Sequence, residues 1–383
     1  MARRRRTRHK HSLFSKLTLA LYLIAGGGLL ISYLAPYVSP ASFWPVAFFG
    51  LAYPFLVIAN LFFLFFWLLR RKRRFWIPLL LLLAGLPFHS RHFGFRLPSH
   101  QPLPDSALQI MSFNSHSFSR YGKNFSEEIK SGMLRVIGEA NPDILAIQEF
   151  YTRPEGPFDI RDSLIRILGA RYHFIEVIEK NDFETRGLAI FSKYPIENRK
   201  AVHFRSNKSY NACIYADITV QEQTIRVFNL HLQSISFQPE DYRYLSKVKD
   251  NLEPDMSSSR RIGGRLKRAF VERAGQAETV AGLVSESPYP VVVCGDFNDT
   301  PMSYAYQTIR SKGLQSSFGK KGSGYSITYA GAFPNFQIDH ILSDKESFEV
   351  LNYRIMKKKL SDHYPISTAL RLKTRNQKPA TRN

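Results

Sequence analysis

No aspartate or glutamate occurs before Asp105 in this 383-residue chain. The first quarter therefore has no carboxylate for acid–base work or metal ligation, and any such chemistry falls to later residues. Cysteine is scarce: Cys213 and Cys294 are the only two. That excludes a disulfide-built scaffold and a cysteine-rich zinc site. Both lie in apolar, strand-like runs that suit small buried residues. No internal repeat is visible, which excludes a repeat array.

What the acid-free segment does contain is arginine and long apolar runs. Twelve of the 53 Lys and Arg fall in residues 1–90, leaving 41 against all 31 acids, so the remainder is mildly basic and otherwise ordinary. The start, Arg3 to Arg8, leads into an apolar run over 17–38. Further runs cover 43–69 and 75–88, and none of the three contains a charged residue. A bilayer takes about 20 apolar residues per helix. The first two runs meet that length and the third falls short of it. A cleaved signal peptide would not explain the second run. Residues 1–12 read as a basic tail, 13–90 as a transmembrane region of about three helices, and 91–105, with Pro98, Pro102 and Pro104, as a linker. By the positive-inside rule the N-terminal arginines and Arg70 to Arg74 mark the cytoplasmic face. Three spans then put everything beyond on the outer (periplasmic or extracellular) face, the preferred reading. A third run lying only in the interface would leave it in the cytoplasm.

From Ser106 the pattern changes to short β-rich runs and amphipathic helices. Strands are expected at 108–113, 144–147, 188–191, 212–220, 223–230, 291–293, 338–342, 349–355 and 366–372. Helices are expected at 127–140, 160–168, 266–284 and 302–309. The polar stretch 237–265 reads as a long loop or short helices rimming a site. Residues 373–383 read as a basic, disordered tail. Such alternation makes 106–372 a layered α/β domain.

Polar residues close several of the apolar strands. Asn114 follows the first, Gln148 and Glu149 the second, Asn229 and His231 a later one, and Asp296 and Asn298 the next. Asp339 and the pair Asp362-His363 complete the set. Each alone is ordinary turn material; together they exceed what turns need. The donors are oxygen-rich, which suits Mg²⁺ rather than zinc. Glu149 is the best single ligand, with Asn114 beside it. Asp296 is placed to orient or deprotonate water, Asn298 to donate to a phosphate oxygen, and His363 with Asp339 to form a histidine–carboxylate pair. His231 offers a second imidazole.

The succession Asn114, Gln148-Glu149, Asn229-Leu230-His231, Gly295-Asp296-Phe297-Asn298, Ile338-Asp339 and Ser361-Asp362-His363 resembles the endonuclease/exonuclease/phosphatase (deoxyribonuclease-I-like) superfamily over 106–372. The resemblance implies a four-layer αββα sandwich and Mg²⁺- or Mn²⁺-dependent hydrolysis of phosphate esters. It further implies Asn114, Glu149 and Asp362 as metal-site residues and His231, Asp296, Asn298, Asp339 and His363 as catalytic ones. The membrane segments lie outside it. Substrate stays open between nucleic acid, favoured by Arg260, Arg261, Arg265, Lys267 and Arg268 near the expected rim, and a lipid headgroup, inositol phosphate or other small phosphodiester, favoured by the anchor. A membrane-tethered interaction module without turnover is the alternative of a different class.

Overall fold

The computed structural model describes residues 13–94, 96, 102–119, 126–204, 211–251, 254–331 and 335–373. The basic tail expected at 1–12, residues 374–383 of the tail expected at 373–383, and residues 95 and 97–101 of the expected linker lie outside the described residues.

The acid-free segment is helical: α1 (Leu13–Ser32), α2 (Pro40–Phe43), α3 (Pro45–Leu51), α4 (Tyr53–Leu69), α5 (Trp76–Ala84) and α6 (Leu86–His89). α1 is long and apolar enough to cross a membrane, and α3 with α4, bent by 66° between them, form a second candidate. The third apolar run breaks at Gly85, between α5 and the Pro-containing α6. Nine residues of α5 rise about 14 Å, roughly half of a hydrocarbon core. The run nonetheless travels the length of the bundle. At its start the Tyr22 hydroxyl donates to Arg74 O (2.8 Å). At its end His89 Nδ1 lies 2.6 Å from the Tyr53 hydroxyl. Between them, buried Asn60 of α4 donates to Ala25 O of α1 (2.9 Å), a polar clasp of the kind that joins helices in lipid.

The remaining elements are β1 (Phe93–Gly94), β2 (Leu108–Asn114), α7 (Glu127–Ala140), β3 (Ile144–Thr152), α8 (Ile160–Leu168), β4 (Tyr172–Lys180), β5 (Thr185–Ser192), β6 (Ile196–His203), β7 (Ala212–Val220) and β8 (Gln223–His231). There follow α9 (Pro239–Asn251), α10 (Met256–Ser285), β9 (Val291–Asp296), α11 (Tyr304–Arg310), β10 (Leu314–Ser316), α12 (Ser317–Lys321), β11 (Gly324–Tyr325), β12 (Asp339–Asp344), β13 (Phe348–Ile355) and β14 (Ile366–Leu372). Two six-stranded sheets form, in the orders β13-β14-β2-β3-β5-β4 and β10-β12-β9-β8-β7-β6. Ile110, Ala146, Ile190, Ile214, Val227 and Val292 pack between them as the central core. α7 and α8 cover the first sheet through Met133, Ile137 and Leu164. α10 and α11 cover the second through Ala277, Val280 and Ile309. The result is an α/β sandwich of four layers.

Two differences from the expected elements have local causes. β4 and β6 are edge strands carrying Glu176, Glu179, Lys180, Glu197, Arg199 and Lys200, charges that protect an edge and erase the apolar alternation. Within the polar stretch 237–265, left open between a loop and short helices, lie α9 and the start of the 30-residue α10, which Asp255 caps by accepting from Ser257 N and Ser258 N. α9 is tied to α10 by the buried Asp241 carboxylate, which accepts from Arg261 (2.8 Å) and pairs with Arg265 (3.0 Å).

The helical region packs directly on the sandwich. Met302 is buried among Leu29, Tyr33, Tyr53 and Val57. At Gly50 an added Cβ would lie 2.9 Å from Met302 O, so α3 approaches as closely as glycine allows. Arg91 donates to Gln307 of α11 (3.1 Å). The contacts with the sandwich thus gather at the α1–α3 turn, at the end of the bundle opposite Arg70 to Arg74.

Candidate active site

Strand direction alone gathers the polar residues. β2 runs parallel to β3, and β8 parallel to β9. These strands deliver Asn114, Glu149, His231 and Asp296 to one edge of the sandwich. β12 and β14 run antiparallel to β9 and β2. They therefore begin at that same edge, with Asp339 opening β12 and His363 just preceding β14.

Glu149 needs a local device to face the cavity. The β3–β5 register shifts between Ile147 and Phe150, and Glu149 takes the left-handed conformation, φ 50°. Such a bulge re-aims one side chain without breaking the sheet. Asn229 of the facing sheet secures it. Its amide donates to Ile147 O and Ala189 O (2.9 Å each), and its Oδ1 accepts from Gln148 (2.6 Å).

Gly295 sets the approach of Asp296. Its φ is +142°, and a Cβ there would run into the Leu230 backbone of β8. Gly295→Ala is therefore expected to destabilise the chain by at least about 3 kcal/mol. Thermal unfolding of the purified protein checks this, and an unchanged midpoint would contradict it.

The groups form one connected array. Asn114 Nδ2 lies 3.3 Å from Glu149 Oε1 and 3.0 Å from Asp296 Oδ2. His231 Nε2 lies 3.8 Å from Glu149 and 3.6 Å from Asp296. His363 Nδ1 pairs with Asp339 (2.9 Å), leaving Nε2 3.7 Å from Asp296. Asn298 N donates to Asp296 Oδ1 (2.7 Å), and its side chain donates to Asp296 Oδ2 and Leu232 O. Its amide thus helps to hold Asp296 at the cavity that Asn298 also lines.

Burial works against ionising Glu149, but the hydrogen bond with His116 and the charges of His231, His116 and His363 outweigh it and hold the carboxyl at about 2. Burial pushes Asp296 up; neighbouring Asp339 adds to this and His363 opposes it. Burial disfavours the charged form of His363, yet Asp339 and Asp296 keep it protonated well above the ordinary imidazole range.

Six of the eight residues singled out in the sequence, Glu149, His231, Asp296, Asn298, Asp362 and His363, line one cavity of about 420 Å³. The other two, Asn114 and Asp339, are buried directly behind it. The sequence reading passed over three neighbours. His116 Nδ1 lies 3.4 Å from Glu149 and 3.6 Å from Asp362, bridging them. Its backbone N donates to Asn114 Oδ1 (3.1 Å), and its left-handed φ of 45° leaves no pattern in a single sequence. Tyr329 packs edge-on against His363, ring centroids 5.3 Å apart. Arg273 reaches in from α10 to pair with Asp299 (3.0 Å). His340, beside Asp339 in sequence, is structural: burial lowers it to about 4, and it contacts Asp299 O.

The donor set fits a hard divalent cation. Glu149 and Asp296 converge on the single NH₂ group of Asn114, and Asp296, Asp339 and His363 offer ligand atoms within 4.8 Å of one another. Oxygen donors dominate, as Mg²⁺ and Mn²⁺ prefer.

Residues 111–363 match the family described as the Endonuclease/Exonuclease/phosphatase family, and residues 15–92 match a domain of unknown function. No curated protein matches the chain. An endonuclease/exonuclease/phosphatase from Beutenbergia cavernae is similar in structure, with 17% identity, TM-score 0.50, and coverage of 70% of this chain and 72% of that one. The human Nocturnin catalytic domain gives 17%, 0.49, 73% and 100% in the same order. A Bacteroides thetaiotaomicron mannosyl-6-phosphatase gives 18%, 0.48, 69% and 99%.

Proposed function

The chain belongs to the Endonuclease/Exonuclease/phosphatase family, and on that premise we propose that it is a membrane-anchored, divalent-metal-dependent hydrolase of phosphate esters. One observation carries the reading: two carboxylates, Glu149 and Asp296, meet at Asn114 beside a histidine that a third carboxylate keeps protonated. Structural turns do not require such an assembly, and it is costly to bury without a cation or anion to complete it.

Glu149, with Asn114 and Asp362 nearby, would hold Mg²⁺ or Mn²⁺. When bound, that ion polarises a phosphoryl oxygen and stabilises charge on the leaving oxygen. Asp296, oriented by Asn298, accepts the proton of the attacking water. His363, fixed by Asp339, directs its Nε2 proton toward a phosphoryl oxygen, and His231 supplies a second imidazole from the neighbouring strand. The full-length protein should hydrolyse bis(para-nitrophenyl) phosphate or para-nitrophenyl phosphate with Mg²⁺ or Mn²⁺. It should stop on chelation and recover on re-addition of the ion. His363→Ala should lose at least about 100-fold in kcat. Absence of turnover with both ions and both esters would sink the proposal.

We further propose that the catalytic domain lies on the outer face. Arg70 to Arg74 sit at the end of the helical bundle remote from the sandwich, and the positive-inside rule assigns that end to the cytoplasm. The broken third run supports this orientation by joining the Arg74 end to the Met302 end. A reporter active only outside the cytoplasm, fused to the C-terminus, should be active. An inactive reporter beside an active cytoplasmic one would reverse the orientation.

A further inference from the structure

The cavity that holds the polar array also has a large apolar lining. Leu51, Leu245, Ile262, Leu266, Phe270 and Phe336 line it together with Glu149, Asp296 and His363. Ile262, Leu266 and Phe270 recur every fourth residue, so one stripe of α10 faces the cavity. Leu51 comes from a different region, the end of α3. The wall continues onto the helices read as membrane-spanning. Phe48 of α3 stands edge-on to Phe270 (5.3 Å), and Phe55 of α4, half exposed, edge-on to Phe336 (6.3 Å). Trp44 lies under Lys267 (5.0 Å), an aromatic–cation pairing typical of a membrane–water boundary.

Among the described residues, the cations that a nucleic-acid backbone needs are missing from this wall. Among the described residues that line the cavity, Arg273 is the one Lys or Arg, and it is committed to Asp299 and Gln233 O. The basic cluster of α10 is turned elsewhere or already paired. Arg261 and Arg265 hold Asp241, Lys267 covers Trp44, and Arg260 and Arg268 are exposed on faces away from the apolar stripe.

Resting on the phosphoesterase reading above, we propose that the substrate is a lipid phosphate ester entering from the bilayer. Its phosphoryl group reaches the Glu149–Asp296–His363 floor while the first part of its hydrocarbon tail lies between Leu51, Leu266 and Phe336. The site then acts at the membrane surface, and the helical region is part of the substrate path as well as an anchor.

The test uses the full-length chain in lipid nanodiscs and matched pairs of esters, with and without tails: phosphatidic acid against glycerol phosphate, and phosphatidylglycerol against glycerophosphoglycerol. The lipid member of at least one pair should show a kcat/KM higher by at least about tenfold. Leu266→Gln should narrow that gap. In parallel, phosphatidic acid carrying a diazirine in its tail should label Leu51, Ile262 or Leu266 on irradiation. Equal rates within each pair, faster cleavage of plasmid DNA or RNA than of either lipid, or labelling confined to outward residues such as Phe62 and Phe65 would overturn the inference. Failure of every ester, para-nitrophenyl esters included, would instead sink the phosphoesterase reading, and the labelling pattern would still decide whether a tail occupies the groove.

Discussion

Replacing Glu149 with glutamine is expected to lower kcat at least about 1,000-fold, roughly 4 kcal/mol of transition-state stabilisation, while leaving the protein folded. The side chain is about a quarter exposed, so the amide enters no closed core. What disappears is the one carboxylate held at about 2 and facing the cavity. His116 and His231 each lose one of two anionic neighbours, keeping Asp362 and Asp296 respectively, and the cation-binding charge of Glu149 goes with it. Loss of an ion ligand should appear in kcat and in metal affinity together. Steady-state kinetics at saturating substrate, with thermal unfolding as the folding control, check this. A variant retaining more than a tenth of the activity would remove Glu149 from its assigned role.

Asn229→Leu is expected to cost about 3 to 5 kcal/mol of stability and most of the activity. Leucine has the same number and branching of side-chain heavy atoms and bulkier methyl ends, so no cavity opens. The damage comes from hydrogen bonding. Asn229 is fully buried between the sheets, and its loss removes the hydrogen bonds that it makes to Ile147 O, Ala189 O and the Gln148 amide. Two of these groups flank the bulge that turns Glu149 toward the cavity. Asn229 is therefore a positioning residue, acting through β3. The distinguishing readout is metal affinity, which should weaken in Asn229→Leu although no ligand has been altered. A destabilised variant with unchanged metal affinity and kcat would show that Asn229 holds the sheets together without governing Glu149.

The residues that end apolar strands were legible because strand direction carries them to one edge. Asn114, His231 and Asp296 needed only parallel neighbours to meet, and Asp339 and His363 only antiparallel ones, while Glu149 also needed the bulge in β3. Features made by tertiary contact were not legible. His116 joins the array through a left-handed turn after β2, and nothing in Asn114-Ser115-His116 signals it. Asn298 lines the cavity while its amide also holds Asp296 and Leu232 O, contacts that only the folded loop makes. β4 and β6 escaped notice because solvent-facing charge replaces alternation at a sheet edge. The polar appearance of 237–265 left loop and short helices both open, and the buried Asp241 is what ties α9 to α10 there. The arginines of α10, read as a nucleic-acid rim, are spent on that carboxylate or point away, while the apolar residues between them face the cavity.

The most direct test of the central claim is a single titration read two ways. Mg²⁺ or Mn²⁺ is added to metal-stripped wild-type protein and to Glu149→Gln, with ion binding followed by calorimetry and ester hydrolysis by absorbance. In the wild type the rate should rise along the binding curve, and in the variant both responses should collapse together. Hydrolysis that proceeds in chelator, or that survives undiminished in Glu149→Gln, would contradict metal-dependent phosphoester cleavage at this site.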